Sequence, residues 1–583
     1  MVRRGLHVAG LSLLSLITAI PRPVSALPQA SDGAVTPETC AALGFRAAPE
    51  RGDIRTSGAR LPSGPITAHA APGAPPPPAP PPPPPPLPIP PVSRMAPPAL
   101  SAAPPAPAAM DTERYPGAAS NPVKRVAEEP VSTFSIDVDT AAYANTRRFL
   151  NDGAVPPRDA IRVEELVNYF DYGYPRPTSA QTPFRATVAI APSPWSSQRQ
   201  ILHIGLQGYA APRSEAPPLN LVFLVDTSGS MMGPDRLPLA QKALNVLIDQ
   251  LRPQDRVAMV AYAGSAGAVL APTDGRSKLK MRCALGALQA GGSTAGGRGL
   301  ELAYGLAKQN FDKKAVNRVI LITDGDFNVG IADPSRLKDF VADQRKSGVY
   351  LSVYGFGRGN YNDTMMQALA QNGNGVAAYV DTLNEARKLL RDDFESSLFP
   401  IADDVKIQVE FNPRQVSEYR LIGYETRLLN REDFNNDQVD AGEVGAGASV
   451  TALYEITPVG ARPSSDPLRY GDKTSPTSKV PVGELAFLKV RYKLPGGSTS
   501  KLIERAIGSA DRYATLAAAP ESTRFAVAVA AYGQKLRGDP WLKAGFDWPA
   551  ITALAQDARG QDPEGLRAEF VQLTKAARDV KAR

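Results

Sequence analysis

Asp226, Ser228 and Ser230 occupy alternate positions in Asp-Thr-Ser-Gly-Ser, the segment that ends the apolar run Leu219 to Val225. A carboxylate and two hydroxyls at i, i+2 and i+4 can be directed to one point by a single loop, and Gly229 permits the tight turn this needs. Carboxylate, hydroxyl and water oxygens form a hard ligand set, suited to Mg²⁺ and less specifically to Mn²⁺ or Ca²⁺. Two more segments offer oxygens: Thr323-Asp324-Gly325 ends the run "NRVILITDGD", and the glycine-rich turn "AGGSTAGG" carries Ser293 and Thr294. With so few carboxylates, a bound dication would keep positive character and open or water-filled positions. It could then accept a carboxylate from a partner.

Such a site needs strands that end side by side. The middle of the chain supplies strand-like runs "LNLVFLVD", "DRVAMVAYAG", "NRVILITDGD", "VYLSVYGFG" and "GVAAYVDT". Helix-like segments at 237–251, 279–290, 297–310, 334–346, 363–371 and 384–395 separate or follow them. Continuous apolar strands alternating with amphipathic helices predict an α/β fold whose mostly parallel sheet is covered on both faces. Ligands in such sheets gather where strands end at their carboxyl edge.

The Asp-Thr-Ser-Gly-Ser segment matches the D-x-S-x-S signature of the von Willebrand factor type A (VWA) domain, and the chain from 218 to 398 resembles that family in its order of elements. The resemblance implies a Rossmann-like domain with a metal-ion-dependent adhesion site. Its five ligand positions map onto Asp226, Ser228, Ser230, Thr294 and Asp324, with Ser293 competing for the threonine position. It further implies that the domain binds proteins, a ligand Glu or Asp completing the metal's octahedron. The alternative for the first segment alone is a strand cap whose serines satisfy helix amides.

The flanks, "TFSIDVDTAAYANTRRFL…VEELVNYFDY" and the region after 400, resemble extensions found in a group of exported bacterial VWA proteins and bring no activity with them. Their strands "FRATVAIAPSPW", "RQILHIGLQGY", "VKIQVEF", "ASVTALYEIT" and "FLKVRYKL" alternate apolar and polar residues, as half-buried antiparallel strands do. Chain from both sides of the α/β unit is therefore expected to build one β-sandwich, with the VWA domain inserted. Thr140 is the expected N-cap of a helix that precedes "RVEELVNYF", a second helix, and the tail reads as two amphipathic helices.

At 583 residues several domains are expected. The divisions are a signal peptide at 1–26, a disordered proline-rich linker at 27–127, an N-terminal associated region at 128–217, the VWA domain at 218–398, and a β-rich then helical domain at 399–583. "MVRR", the apolar "GLHVAGLSLLSLITAI" and "VSA" follow the order of an export signal. Left uncleaved, the same segment would tether the chain to a membrane. The destination is the periplasm, cell envelope or extracellular space. The proline run near 75–92 reads either as a stiff spacer, reaching about 60 Å at ~3.1 Å per residue, or as a disordered linker. Ordered sequence is expected from about Pro130.

The net charge is +7, and loss of Arg3, Arg4 and Arg22 with the leader lowers it by three to +4. That small, scattered excess does not fit a nucleic-acid partner. Cys40 and Cys283 are the only cysteines, so no disulfide framework is expected. Cys283 reads as a small buried hydrophobe, unbridged to Cys40 across the linker. The three histidines fall in the leader (His7), the linker (His69) and a strand (His203), which leaves little for histidine-based catalysis. "GGSTAGGR" lacks the lysine of a phosphate loop, and "SKLK" at 277–280 lacks the companions of a serine acyltransferase motif. No enzyme is expected; the alternatives to a binding module are an envelope scaffold whose metal only holds the loops and, last, an envelope hydrolase with its site in the C-terminal region. "REDFNNDQVDAGE" (431–443) reads as a solvated acidic hairpin loop or, through Asp433, Asn435, Asp437 and Asp440, as the start of a calcium loop.

Overall fold

The computed structural model describes residues 35–45, 113–136, 139–292, 296–325, 333–439, 441–466, 483–543 and 545–582. The export signal, the proline-rich run, Ser293, Thr294 and Asp440 lie outside them. Before residue 210 the chain forms strands β1 (Lys124–Arg125), β2 (Val131–Ser135), β3 (Phe184–Pro192) and β4 (Gln200–Gly208). The same part contains helices α1 (Pro37–Ala42), α2 (Ala141–Asn151) and α3 (Val163–Val167).

Six strands follow: β5 (Leu219–Asp226), β6 (Arg256–Tyr262), β7 (Ala266–Asp274), β8 (Val316–Thr323), β9 (Val349–Phe356) and β10 (Ala377–Val380). They form one sheet in the order β10-β9-β8-β5-β6-β7, parallel except for the antiparallel pair β6–β7. All eight residues of β5 are buried. Its side chains alternate between two cores, which is why the segment is apolar throughout. Leu221, Phe223 and Val225 pack with α4 (Leu237–Gln250) and α5 (Lys278–Gly286). Val222 and Leu224 pack with α6 (Gly296–Gln309), α7 (Pro334–Lys346) and α8 (Asp363–Asn372). The domain ends in α9 (Leu383–Arg387), a π-helical turn at Lys388–Asp392, and α10 (Phe394–Leu398).

The chain then returns to strands: β11 (Pro400–Phe411), β12 (Val416–Ile422), β13 (Leu428–Leu429), β14 (Val444–Gly445), β15 (Ser449–Pro458), β16 (Glu484–Lys493) and β17 (Ser500–Gly508). Two sheets result, β1-β12-β15-β4-β3 and β13-β2-β11-β16-β17, with β14 paired to β11. Each mixes strands from both flanks, so the α/β domain is an insertion between β4 and β11, as the alternation of the flanks predicts. Phe134, Leu202, Ile204, Ile407, Val409, Tyr454 and Val490 share the sandwich core.

Three helices close the chain: α11 (Glu521–Arg537), α12 (Trp548–Asp557) and α13 (Leu566–Lys581). The sequence reading has two amphipathic helices here. It lacks α12, and α11 is buried on every side from Phe525 to Gln534 because α3, α12, α13 and the sandwich surround it.

Other expectations also change. Thr140 sits at the N-cap of α2, but its side chain makes no capping bond. Ordered chain begins before Pro130: Arg114 bridges to Asn362, and the buried Asn121 donates to the carbonyls of Leu421 and Gly423 at 3.1 and 2.7 Å. A backbone bridge and side-chain hydrogen bonds hold this stretch, and apolar periodicity does not report them. Cys283 is buried on α5, yet it is disulfide-bonded to Cys40, 243 residues away. The expectation of a free thiol fails because α1 docks against α5. Loop-closure cost grows only as the logarithm of loop length, so the intervening spacer does not oppose the bond.

His203 lies on β4 with no exposed surface, between the Tyr174 hydroxyl (2.8 Å from Nε2) and the Thr523 hydroxyl (2.9 Å from Nδ1). Burial lowers its pKa from 6.5 to about 3. The unfolded chain therefore takes this proton first as pH falls. The stability contributed by the neutral ring is complete above 6.5 and is lost as pH drops toward 3, at roughly 1.4 kcal/mol per pH unit. His203→Gln can keep both contacts and should flatten the decline in urea midpoint between neutral and mildly acidic pH. An unchanged slope would mean that another group controls it.

Candidate metal centre

β5 and β8 are adjacent and parallel, so Asp226 and the Thr323-Asp324 pair emerge side by side at the carboxyl edge of the sheet. Asp226, Ser228 and Asp324 are almost wholly buried. The Asp226 Oδ1 accepts from the Ser228 backbone N–H at 2.8 Å, which bends the chain into a single turn at Gly229–Met231. The Ser228 and Ser230 hydroxyl oxygens then lie 2.8 Å apart. Neither serine caps a helix: α4 starts after Arg236 with no side-chain cap, so the capping alternative is not the arrangement found.

The glycine turn comes to the same place. Gly229 N–H donates to the Gly292 carbonyl at 2.9 Å, and Gly291 N–H to the Thr227 carbonyl at 2.8 Å. These bonds stitch the aspartate–serine loop to the residues just before Ser293 and Thr294, the two candidates that fall outside the described residues. On the other side, Gly325 has φ +98°, and a Cβ there would stand 2.6 Å from the Asn360 carbonyl oxygen. Only glycine lets the loop after β8 press so closely on the loop after β9.

The electrostatics favour a cation. The second oxygen of Asp226 accepts from the hydroxyls of Tyr262 (3.2 Å) and Thr323 (3.3 Å). Burial raises its pKa from 3.8 to about 6, an effect opposed by hydrogen bonds from Ser228 and added to by the Asp324 carboxylate. No Lys, Arg or His forms an ion pair with Asp226 among the described residues, whereas Asp324 has Arg236 at 3.7 Å and the Asn360 amide at 3.5 Å. Nor do three or more His, Cys, Asp or Glu side chains converge anywhere among the described residues in a way that could hold a metal. Two carboxylates with paired hydroxyls are a donor set for a hard dication, not for a soft one. The residues therefore fit the metal that the sequence predicts.

Tyr262, Arg236 and Asn360 are participants that the sequence reading missed, and Thr323, named there as an oxygen at the strand end, orients Asp226. Tyr262 ends β6 directly opposite Asp226 and could have been found from the strand register. Arg236 and Asn360 sit in polar turns with no pattern to mark them. The acidic stretch 431–443 is not a cation loop in its described part. Ser500 and Arg491 hold the Asp437 carboxyl down to about 2, and Asp433 accepts from the Asn430 backbone N–H. Its hairpin reading is replaced by a short turn, Glu432–Asn435, followed by Asp437, which is latched to β16 and β17. Both ring nitrogens of His203 are engaged, and it lies on the face of β4 that packs against α11, on a different sheet from this site.

This strand order, with oxygen-bearing side chains at the ends of β5 and β8, defines a von Willebrand factor type A domain, and that family's model matches residues 220–392. A domain of this type typically mediates protein interactions. A von Willebrand factor model matches residues 109–203, and a model of the C-terminal part of the uncharacterized protein YfbK matches residues 396–580. The chain belongs to the YfbK family: it is 48% identical over 475 residues to the uncharacterized protein YfbK of Escherichia coli (strain K12), covering 80% of this chain and 82% of that one. It is 31% identical over 200 residues to the uncharacterized protein sll0103 of Synechocystis, covering 34% of this chain and 46% of that protein. Its match to human inter-alpha-trypsin inhibitor heavy chain H4 is 25% over 203 residues, or 33% of this chain and 22% of that protein. Among solved structures, it is similar to a von Willebrand factor type A protein from Catenulispora acidiphila (18% identical, 70% of this chain, 91% of that one, TM-score 0.38).

Proposed function

We propose that the protein is an exported, non-enzymatic binding module that captures an acidic residue of a partner protein through a Mg²⁺ site. Asp226, Ser228, Ser230, Thr294 and Asp324 would hold the ion, with Mn²⁺ or Ca²⁺ as substitutes. The observation that carries this reading is the buried Asp226 carboxylate beside Asp324 and a converging hydroxyl pair, with no basic side chain to neutralise Asp226 among the described residues. When bound, the ion supplies a positive centre with an open position for a carboxylate oxygen. The chain's own part is to aim the oxygens: Tyr262 and Thr323 fix one oxygen of Asp226, and the Ser228 N–H fixes the other. The Cys40–Cys283 disulfide suits an oxidising compartment and supports export to the envelope.

A second reading is a scaffold in which the metal only holds the loops together. It is favoured by the way both ends of the domain run into one sandwich. Immobilising the full chain and challenging it with an envelope extract in Mg²⁺ or in EDTA separates the two. A protein retained only in Mg²⁺, and lost with folded Asp226→Ala and Thr294→Ala, is the expected result. Retention that survives chelation and both substitutions refutes adhesion through the site. Loss of folding in both variants would favour the scaffold.

A further inference from the structure

We infer that Arg236 is a built-in opposing charge at the metal centre, a positioning residue that weakens the site's hold on its cation; the inference rests on the metal-site reading above. Arg236 joins three of the loops that meet at the sheet edge. Its Nη1 donates to the Ser230 carbonyl, in the loop after β5. The same nitrogen stands 3.7 Å from the Asp324 Oδ2, after β8. Its Nη2 donates to the Arg358 carbonyl at 2.5 Å, after β9. The side chain is about one-fifth exposed and so only partly screened by water.

The space it occupies is shaped for it. Gly357 has φ +77°, and a Cβ at that position would lie 2.4 Å from the Arg236 Cγ. The loop after β9 is in turn held from the N-terminal flank. Arg358 pairs with Asp152 at 2.8 Å, and Gly359 N–H donates to Glu113 at 2.9 Å. The guanidinium is thus fixed beside one proposed ligand and bonded to the backbone of another.

A fixed positive charge next to Asp324 competes with a dication for the same carboxylate and repels it across a short distance. Metal binding to the unpartnered protein should therefore be weaker than the oxygen set alone would give. A partner's carboxylate, which adds negative charge at the ion, relieves that repulsion. Arg236 would make retention of the ion depend on the partner.

Calorimetric titration of the full chain with Mg²⁺ and Mn²⁺ alone tests this. Arg236→Gln should bind either ion at least about tenfold more tightly than the natural chain, and Arg236→Lys should restore the weak binding, because charge and not the fork of hydrogen bonds is what opposes the ion. Arg236→Met keeps the alkyl stem over Gly357 and replaces the Gln variant should that one fail to fold. If the neutral variants fold but bind no more tightly, or more weakly, Arg236 only shapes the loops and the inference is wrong. If the natural chain binds no metal, or Asp226→Asn binds as well as it does, the metal site itself falls and the inference falls with it. Affinity in the Lys variant that matches Gln also overturns it.

Discussion

Arg147→Met is expected to destabilise the protein by roughly 3–5 kcal/mol, the range for removing one partner of a buried ion pair. Arg147 is buried on α2, outside the inserted domain, yet its guanidinium reaches three carboxylates. Its Nε donates to Asp381 at 2.8 Å, its Nη2 to Glu385 at 2.7 Å, and its Nη1 to Glu569 at 3.0 Å. Asp381 and Glu385 belong to the end of the α/β domain and Glu569 to α13, so one side chain joins three parts of the chain. Tyr169 adds a hydrogen bond to Glu385 at 2.6 Å. Methionine would fill most of the volume and leave two buried carboxylates facing each other, with Lys388 offsetting them in part. Arg147→Lys should recover part of the loss, because a single ammonium cannot reproduce the forked contact with Asp381. Urea or thermal unfolding of the whole chain measures it. A loss below ~1 kcal/mol, the ordinary worth of an exposed pair, would show that water reaches the cluster and screens it.

The second large effect has opposite signs in two measurements. Asp226→Asn should abolish Mg²⁺ binding, yet make the metal-free protein more stable at pH 8. The sign follows from linkage. The carboxyl titrates near 6 when folded and near 3.8 when unfolded, so the native state binds this proton more tightly. Its contribution to metal-free stability is present below pH 3.8 and is lost as pH rises through about 6. At pH 8 the ionised, desolvated carboxylate costs the metal-free fold roughly 2–3 kcal/mol. Asparagine removes the charge, keeps an acceptor for the Ser228 N–H, and offers an amide to the Tyr262 and Thr323 hydroxyls. In EDTA the variant should melt above the natural chain, and Mg²⁺ should move its melting point by nothing. A variant that melts lower in EDTA would show that the negative charge itself is needed to hold the loops. On the proposed reading, metal binding and metal-free stability would be opposed at this one carboxylate.

What sequence reveals and what it hides here have a common physical basis. β5 was legible because burial on both faces forces an unbroken apolar run, and the insertion was legible because the flanks change to strict alternation. The convergence of Asp226, Ser228, Ser230 and Asp324 was legible because two unbroken apolar runs place them at the ends of strands that pair side by side. β7 was hidden: "AGAVLAPTD" is small, half-exposed edge sequence, and an edge strand needs no strong pattern once it is paired on one side. The Cys40–Cys283 bond was hidden because a pairing between distant segments leaves no mark in spacing. Arg236 was hidden because its role lies in contacts to the carbonyls of Ser230 and Arg358, and any residue type supplies a carbonyl.

The insertion also sets a timetable. β2 pairs with β11 and β4 with β15, so neither sandwich sheet can close until chain beyond residue 449 has been made. The inserted domain, by contrast, has all its strands in hand by Val380, and its most distant pairing, Leu219 with Val316 between β5 and β8, is far shorter in sequence than that of β2 with β11. During synthesis or translocation it can fold first, since local contacts form before distant ones. Its completed shape then brings its own two ends together and delivers β11 to β2. Until that moment Phe134, Leu202 and Ile204 lack the half of their core that β11, β15 and β16 supply, and a chain cut off at residue 398 would leave that side facing water. The domain that carries the site is thus also the clasp on which the rest of the molecule waits.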